Sequence, residues 1–290
     1  MDNLTELYCV VDEFAKEFFP EFEKAQLDYG IKKRQSSCSL TPSEIMTIMI
    51  YFHQIRFRDF KTFYTQYVAK HLRKEFPDLV SYNRLVELMP SILLPLCFFI
   101  HIQNKNNTGI YFIDSTTIDV CHIKRASSNR VFKNIAKKSK STMGWFFGFK
   151  LHIVINDQGE IMAFKITSST TDDRVPVDQM TQGLTGKLFG DRGYISQELF
   201  DKLYQRGLKL VTRIKKNMNN KLMPLIDKLL LRKRAIIESV NDQLKNISQI
   251  EHSRHRSVNN FMVNLLAGLV AYTLQPKKPS LNLCPNLLIK

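Results

Sequence analysis

The chain has 290 residues, 44% of them hydrophobic and 11% aromatic, which is enough to bury a sizeable core and excludes global disorder. Its 42 Lys and Arg against 27 Asp and Glu leave a formal net charge of +15. That excess is spread over several segments rather than held on one amphipathic helix, so it points to a polyanionic partner more than to a membrane surface or to a basic protein with no partner. Five scattered cysteines (Cys9, Cys38, Cys97, Cys121, Cys284) include no CxxC pair, which argues against a structural zinc site and suits a reducing compartment.

The opening MDNLTELYCVVDEF has acidic residues and no basic run, unlike a secretory signal. Residues 1 to about 100 read as helical. Thr41-Pro42-Ser43-Glu44 predicts a helix start, with Thr41 as N-cap, Pro42 in the first turn and Glu44 reaching back. The apolar run IMTIMIYFHQI follows, then a helix with aromatics every three or four residues that Pro77 stops, then a helix capped by Ser81. Short helices with interleaved basic residues fit either a helix-turn-helix-like DNA-binding unit or plain helical packing. The apolar stretches from Leu88 to Ile100 and from Phe261 to Leu274 are shorter than the ~20 residues a membrane span needs, so both read as buried helix.

After the polar turn KNNTG the pattern changes to strands. Ile110 to Asp114 is a short apolar run ending in a carboxylate. Trp145–Asn156 and Glu160–Ser168 flank the turn Asp157-Gln158-Gly159 and predict a hairpin. A short helix over Val175–Leu184, a strand from Lys187 to Gly190 leading to Asp191, a helix from Ser196 ended by Gly207 and a strand over Leu208–Ile214 come next. A long helix over Leu225–Ile247 carries Glu238, and a last helix runs from Ser257 to Leu274. This order predicts an α/β domain with a mixed sheet flanked by helices over residues 105–275. A helical domain over 1–104, the candidate DNA-end-binding part, precedes it, and a tail over 276–290 follows. By analogy the order suits the ribonuclease H-like fold, which sets one carboxylate on its first strand, one after its fourth and one on a following helix.

Singly, Asp114 in YFIDSTT and Asp191 in FGDRGY read as turn residues and Glu238 as a solvated helical acid. Together they are a candidate cage for two hard cations, because phosphodiester cleavage and transfer use a pair of divalent ions about 3.5–4 Å apart, held by carboxylate oxygens. Arg234, four residues before Glu238, and Lys245, seven after, fall on one side of a regular helix; so does an ordinary solvated ion-pair face. Lys150 and His152 share a face of one strand. If that face also holds Asp114 they contact phosphate or the leaving oxygen; otherwise His152 is a satisfied core residue. Arg192 is a phosphate candidate. Asp172 and Asp173 read as a capping loop, with Asp173 the possible replacement for Asp191. Ser115 and Thr116 orient Asp114 at most.

Between Val120 and Lys150 there are eight Lys or Arg and no acid, Lys133, Lys137, Lys138 and Lys140 among them. This reads as a basic loop that lies on DNA phosphates and orders when they bind. Lys215-Lys216, Arg232-Lys233-Arg234 and Arg254-His255-Arg256 extend the basic surface. Trp145, the only tryptophan, reads as core, with base stacking as the alternative.

The spacing Arg234-x3-Glu238-x6-Lys245 resembles the Tyr-x2-Arg-x3-Glu-x6-Lys signature of DDE insertion-sequence transposases, with Leu231 standing where the signature has Tyr. FIDST, GFKLH and GDRGY resemble the first and second carboxylate regions of that superfamily. LTPSEIMTIMIYFHQIRFRDFKTFY and SYNRLVELM resemble the bacterial insertion-sequence family numbered nine-eighty-two, so the resemblance spans nearly the whole chain. It implies a transposase that cuts DNA at terminal inverted repeats and joins the ends to target DNA. The triad would be Asp114, Asp191 and Glu238 with two Mg²⁺ (or Mn²⁺) ions, and Arg234 and Lys245 the accessory cations. It further implies a homodimer or larger assembly on DNA, no membrane, and a cytoplasmic, nucleoid-associated place in a bacterium. A nuclease of the same fold that does not join, and a transposase-derived DNA-binding protein without catalysis, are the alternatives.

Overall fold

The computed structural model describes residues 3–30, 38–103, 105–141, 144–213, 223–251, 255–281 and 283. Cys284, Lys215-Lys216 and Arg254 lie outside them. Two compact units divide the chain: residues 1–103 with 244–276, and residues 104–243 with 277–290. Residues 244–276, which sequence patterning assigns to the α/β domain, therefore group with the helices.

The helical unit begins with α1 (Leu4–Asp28) and α2 (Pro42–Gln54). The predicted cap of α2 is present in full: Thr41 Oγ1 accepts from the Glu44 amide at 3.2 Å, and Glu44 Oε2 accepts from the Thr41 amide at 2.7 Å. The aromatic segment forms less regular helix than its periodicity suggests. It starts at the Asp59 cap with α3 (Phe60–Thr62), widens into a π turn over Phe63–Val68 and ends with α4 (Ala69–His71), well before Pro77. Ser81 caps α5 (Tyr82–Leu88), and a 3₁₀ turn at Met89–Ile92 joins it to α6 (Leu93–Ile102). The continuous stretch Tyr82–Ile102 is long and apolar enough to cross a bilayer by length and composition, a longer run than the sequence suggested. Its Leu85, Met89, Ile92, Leu96, Phe99 and Ile100 are buried within this unit.

The α/β unit is built on six strands, β1 (Ile110–Cys121), β2 (Lys137–Ser141), β3 (Gly144–Asn156), β4 (Ile161–Ser168), β5 (Gly186–Gly190) and β6 (Leu208–Thr212). They run β4-β3-β1-β5-β6, with β4, β3 and β1 antiparallel in succession and β1, β5 and β6 parallel. This is the ribonuclease H-like order expected from the sequence. β2 takes the same edge of β3 as β4 but further back, against Gly144–Gly148. The basic segment is thus partly an edge strand rather than a loop throughout. Its sequence KKSKS has no apolar alternation to announce a strand, and lysines are what a protected edge carries.

Sheet register divides the side chains into two faces. Tyr111, Ile113, Val154, Leu188 and Leu210 lie on one, in a core completed by α7 (Val177–Met180) and α8 (Gln197–Gln205). Phe112 and Phe189 stack on the other, at 5.5 Å between ring centres. That second face is covered by α9 (Leu225–Lys233) and α10 (Ala235–Asp242). Asp227 on α9 is 1% exposed and receives Lys187 at 2.6 Å and Lys209 at 3.7 Å, both from this face. The single long helix predicted here is broken at Arg234, and a π turn follows at Gln243–Ile247. No Pro or Gly marks either irregularity, so periodicity alone runs through them. Finally α11 (Val258–Thr273), mostly apolar and buried from Asn260 to Tyr272 except at Met262, packs on α2 and α6 in the helical unit.

Gly148 is a point of close approach in the sheet. A Cβ there would lie 1.9 Å from the Ile118 carbonyl oxygen, where the β1–β3 register shifts. Gly148→Ala is expected to push β1 from β3 and cost about 2–3 kcal/mol, on the scale of overpacked cores; urea unfolding measures it, and a wild-type midpoint would contradict the packing described.

Candidate active site

The parallel pairing of β1 with β5 matches Ile110, Tyr111 and Phe112 to Lys187, Leu188 and Phe189. The same offset carried two residues further sets Asp114 level with Asp191, on the face that α9 and α10 cover. The apolar run before Asp114 is buried through Ile113, so it fixes the strand and delivers the carboxylate at the edge of the core. Asp191 ends β5 and caps the short turn Arg192–Tyr194, its Oδ1 accepting from the Gly193 amide at 2.8 Å. The turn is tight: a Cβ on Gly193 would sit 2.9 Å from that oxygen, and one on Gly190 would meet the buried Tyr194 ring at 3.0 Å. The glycines of GDRGY are there for that geometry.

Glu238 comes from α10, which packs against β1. Arg234, at the junction of α9 and α10, spans two of the acids. One of its guanidinium nitrogens, Nη2, is 2.8 Å from Glu238 Oε1, and the other, Nη1, is 3.9 Å from Asp114 Oδ1. Asn241, one turn after Glu238, donates from Nδ2 to Asp114 Oδ2 at 3.2 Å. Burial is the main reason the Asp114 carboxyl is pushed up to about 6; Arg234 and the Ser115 amide pull it down, and Asp191 and Glu238 push it further up. Asp114 therefore lies within electrostatic reach of both other motif carboxylates.

A cleft of about 380 Å³ opens here, lined by Asp191, Glu238, Arg192, Arg213, Arg232 and Arg234, with Leu231 in its wall. Four guanidinium groups against two carboxylates make it net cationic. Arg192, Arg213 and Arg232 form no ion pair among the described residues, unlike Arg234. Asn241 and Arg213 were not singled out from sequence. Asn241 had a usable signal, its three-residue spacing from Glu238; Arg213 had none, because its approach to the cleft depends on β6 lying beside β5.

The donor set fits a hard divalent cation: all oxygens, mutually repelling, with Arg234 already supplying positive charge between two of them. As they stand, no three His, Cys, Asp or Glu side chains among the described residues are close enough around one point to hold an ion.

Other predicted residues lie elsewhere. Asp114 pairs with Ile153, whereas Ser115 pairs with His152 and Thr117 with Lys150. Lys150 and His152 thus face away from Asp114, and the condition set for their contact with the reacting phosphate is not met. Lys150 donates to Asp173 Oδ1 and to the Thr171 carbonyl, both at 2.9 Å. His152 is fully buried, 2.8 Å from Thr167 Oγ1, and burial holds it down to about 4. It is a neutral core histidine. Asp173 pairs with Lys150, whose strand face is the one turned away from Asp114. Asp172 accepts from the Arg174 amide and guanidinium, as a loop-capping residue does. Lys245 belongs to the helical unit, where it meets Glu251 at 3.0 Å. The π turn alters the helical phase that had aligned it with Arg234 and Glu238. Lys133, Lys137, Lys138 and Lys140 are exposed, and so is Trp145, at 63%.

A parallel strand pair that sets two aspartates level, with a glutamate from a covering helix, makes this the candidate active site. A family model for the transposase DDE domain matches residues 104–258. The chain belongs to that family: it is a DDE-type polynucleotidyl transferase, and its chemistry depends on divalent metal. Among solved structures, a piggyBac transposase synaptic complex with hairpin DNA, determined by cryo-EM, is similar at 11% identity and a TM-score of 0.48, over 94% of this chain and 75% of that one. No curated protein matches the chain.

Because burial raises the Asp114 carboxyl, the folded chain binds that proton more tightly than the unfolded chain does. Stability then falls as pH rises from about 3.8 through about 6. Asp114→Asn removes the ionisation. Without divalent ions, it is expected to gain over wild type between pH 4 and pH 7, reaching about 2 kcal/mol at most. Denaturant unfolding across that range is the measurement, and a difference independent of pH would contradict the assignment of Asp114's surroundings.

Proposed function

We propose that the chain is the transposase of a bacterial insertion sequence, of the family numbered nine-eighty-two or close to it. In this reading it cleaves DNA at terminal inverted repeats and joins the freed 3′-OH ends to target DNA. The observation that carries the reading is Arg234, which holds Asp114 and Glu238 on one guanidinium beside a level Asp191. Asp191 and Glu238 line a cationic cleft, and Asp114 reaches its Arg234 from β1, which supports the roles their motif positions imply.

Asp114, Asp191 and Glu238 hold two divalent ions, Mg²⁺ or Mn²⁺. When bound, such ions supply activation of the attacking oxygen and charge stabilisation at the leaving one. The chain's own residues do the rest. Asn241 orients the Asp114 carboxylate through its Oδ2. Arg234 moves from the acids to a DNA phosphate once their charge is otherwise met. Arg192, Arg213 and Arg232, which form no ion pair among the described residues, hold neighbouring backbone phosphates and keep the scissile one in line. Water attacks in the first step and a DNA 3′-OH in the second, each displacing one oxygen at phosphorus. The helical unit, residues 1–103 with 244–276, carries the DNA-end contacts. Two ends must be brought together, so a homodimer or larger assembly on DNA is the working form, in the cytoplasm with the nucleoid.

The test uses labelled element ends, a target plasmid and Mg²⁺. Asp114→Asn, Asp191→Asn and Glu238→Gln are each expected to lower cleavage and joining at least about a thousandfold, the loss of several kcal/mol of charge stabilisation, while leaving end binding intact. Wild-type transfer by all three would sink the triad. Cleavage without joining, even from pre-cut 3′-OH ends, would favour the nuclease reading. Binding without either would favour a non-catalytic protein.

The basic edge has its own test. Replacing Lys133, Lys137, Lys138 and Lys140 with Gln is expected to flatten the salt dependence of DNA binding, by at most about one phosphate contact per lysine. An unchanged slope would mean that these lysines face only water.

A further inference from the structure

Trp145 is the chain's single tryptophan, and it is 63% exposed near the start of β3. The strand has the means to bury rings, since Phe146, Phe147 and Phe149 right beside it are buried. A Trp left in water forgoes the largest apolar burial any side chain offers, so its exposure calls for a partner. Its surroundings say which. Directly across the β2–β3 pairing stands Lys140, and Lys138 lies one position further along the same face. Lys137, Lys138 and Lys140 are all exposed, and β2 is the outermost strand of the sheet on this edge. No acid occurs between Val120 and Lys150.

An exposed aromatic ring flanked by cations, in a segment without acids, is the chemistry of a stacking platform for nucleobases, with the lysines on the phosphates to either side. A second copy of this chain is a poor occupant, because a symmetric contact would bring the two lysine sets together. A paired duplex is a poor one too, because its base faces are already covered by their neighbours; the ring needs a base that is splayed or unpaired. We propose that Trp145 stacks on an unpaired nucleobase of the DNA while Lys138 and Lys140 hold the adjoining phosphates. This rests on the reading above that the chain acts on DNA.

Trp145 is its own reporter, since no other tryptophan contributes to the fluorescence. The full chain is titrated with a thymidine oligonucleotide, a blunt duplex, an abasic strand of equal length and inorganic polyphosphate, with binding followed separately by anisotropy or competition. The unpaired strand is expected to quench the emission by about half or more, and the abasic strand and polyphosphate to bind with little quenching. Trp145→Ala is expected to weaken binding of the unpaired strand about tenfold at an unchanged salt slope, while Trp145→Phe keeps most of the affinity. Equal quenching by the abasic strand, or binding with no quenching, overturns the stacking role and leaves the transposase reading standing. A spectral change that tracks protein concentration without DNA assigns the ring to a second copy and also overturns it. Failure of every strand to bind overturns both.

Discussion

Carboxylates gathered where water is partly excluded repel one another, and the surroundings of Asp114 are organised by how that repulsion is offset. Burial and the neighbouring Asp191 and Glu238 all raise its carboxyl, and Arg234, Asn241 and the Ser115 amide work the other way. The sheet cannot relieve the conflict by moving. Asp114 and Asp191 are each tied to a strand that is locked into its neighbour, and the offset between β1 and β5 follows from the apolar residues packed on both sides. The helix break at Arg234 lets a single guanidinium reach one acid on the sheet and another on α10. A scaffold that concentrates negative charge and meets it with one shared guanidinium suits chemistry in which metal and phosphate take over those contacts.

The rest of the α/β unit puts positive charge around that point. Arg192, Arg213 and Arg232 line the cleft, and the lysines of β2 continue the basic surface along the sheet edge. A chain of net charge +15 that sets carboxylates among the arginines of one cleft behaves differently toward a polyanion than a uniformly basic one would. The exposed cations attract the backbone, and the carboxylates leave one place where a phosphate is acceptable only together with divalent ions.

Much of this was legible in the sequence where local chemistry decides it. Thr41 and Glu44 announced their capping box, the apolar run ending at Asp114 announced β1, and Gly190 and Gly193 announced the turn that Asp191 caps. The Arg234–Glu238 spacing announced an ion pair, and its extra reach to Asp114 is a tertiary fact. What stayed hidden depends on register and helical phase. Lys150 and His152 alternate correctly for a shared face, yet which face it is depends on the pairing of His152 with Ser115, which no local pattern specifies. Lys245 was aligned by assuming a regular helix, and a π turn with no Pro or Gly intervenes. β2 carries no apolar alternation, so it read as loop, and Trp145 read as core because rings usually are. Arg213 was invisible until β6 was seen to lie beside β5.

The proposed metal centre joins Asp114, Asp191 and Glu238. The most direct measurement substitutes Fe²⁺ for Mg²⁺ on the full chain bound to DNA, adds ascorbate and peroxide, and maps where the polypeptide backbone is cut by locally generated radicals. Cuts clustered beside residues 114, 191 and 238, suppressed by excess Mg²⁺, are the result this account predicts. Cuts near Asp172 and Asp173 with those three segments intact would contradict it.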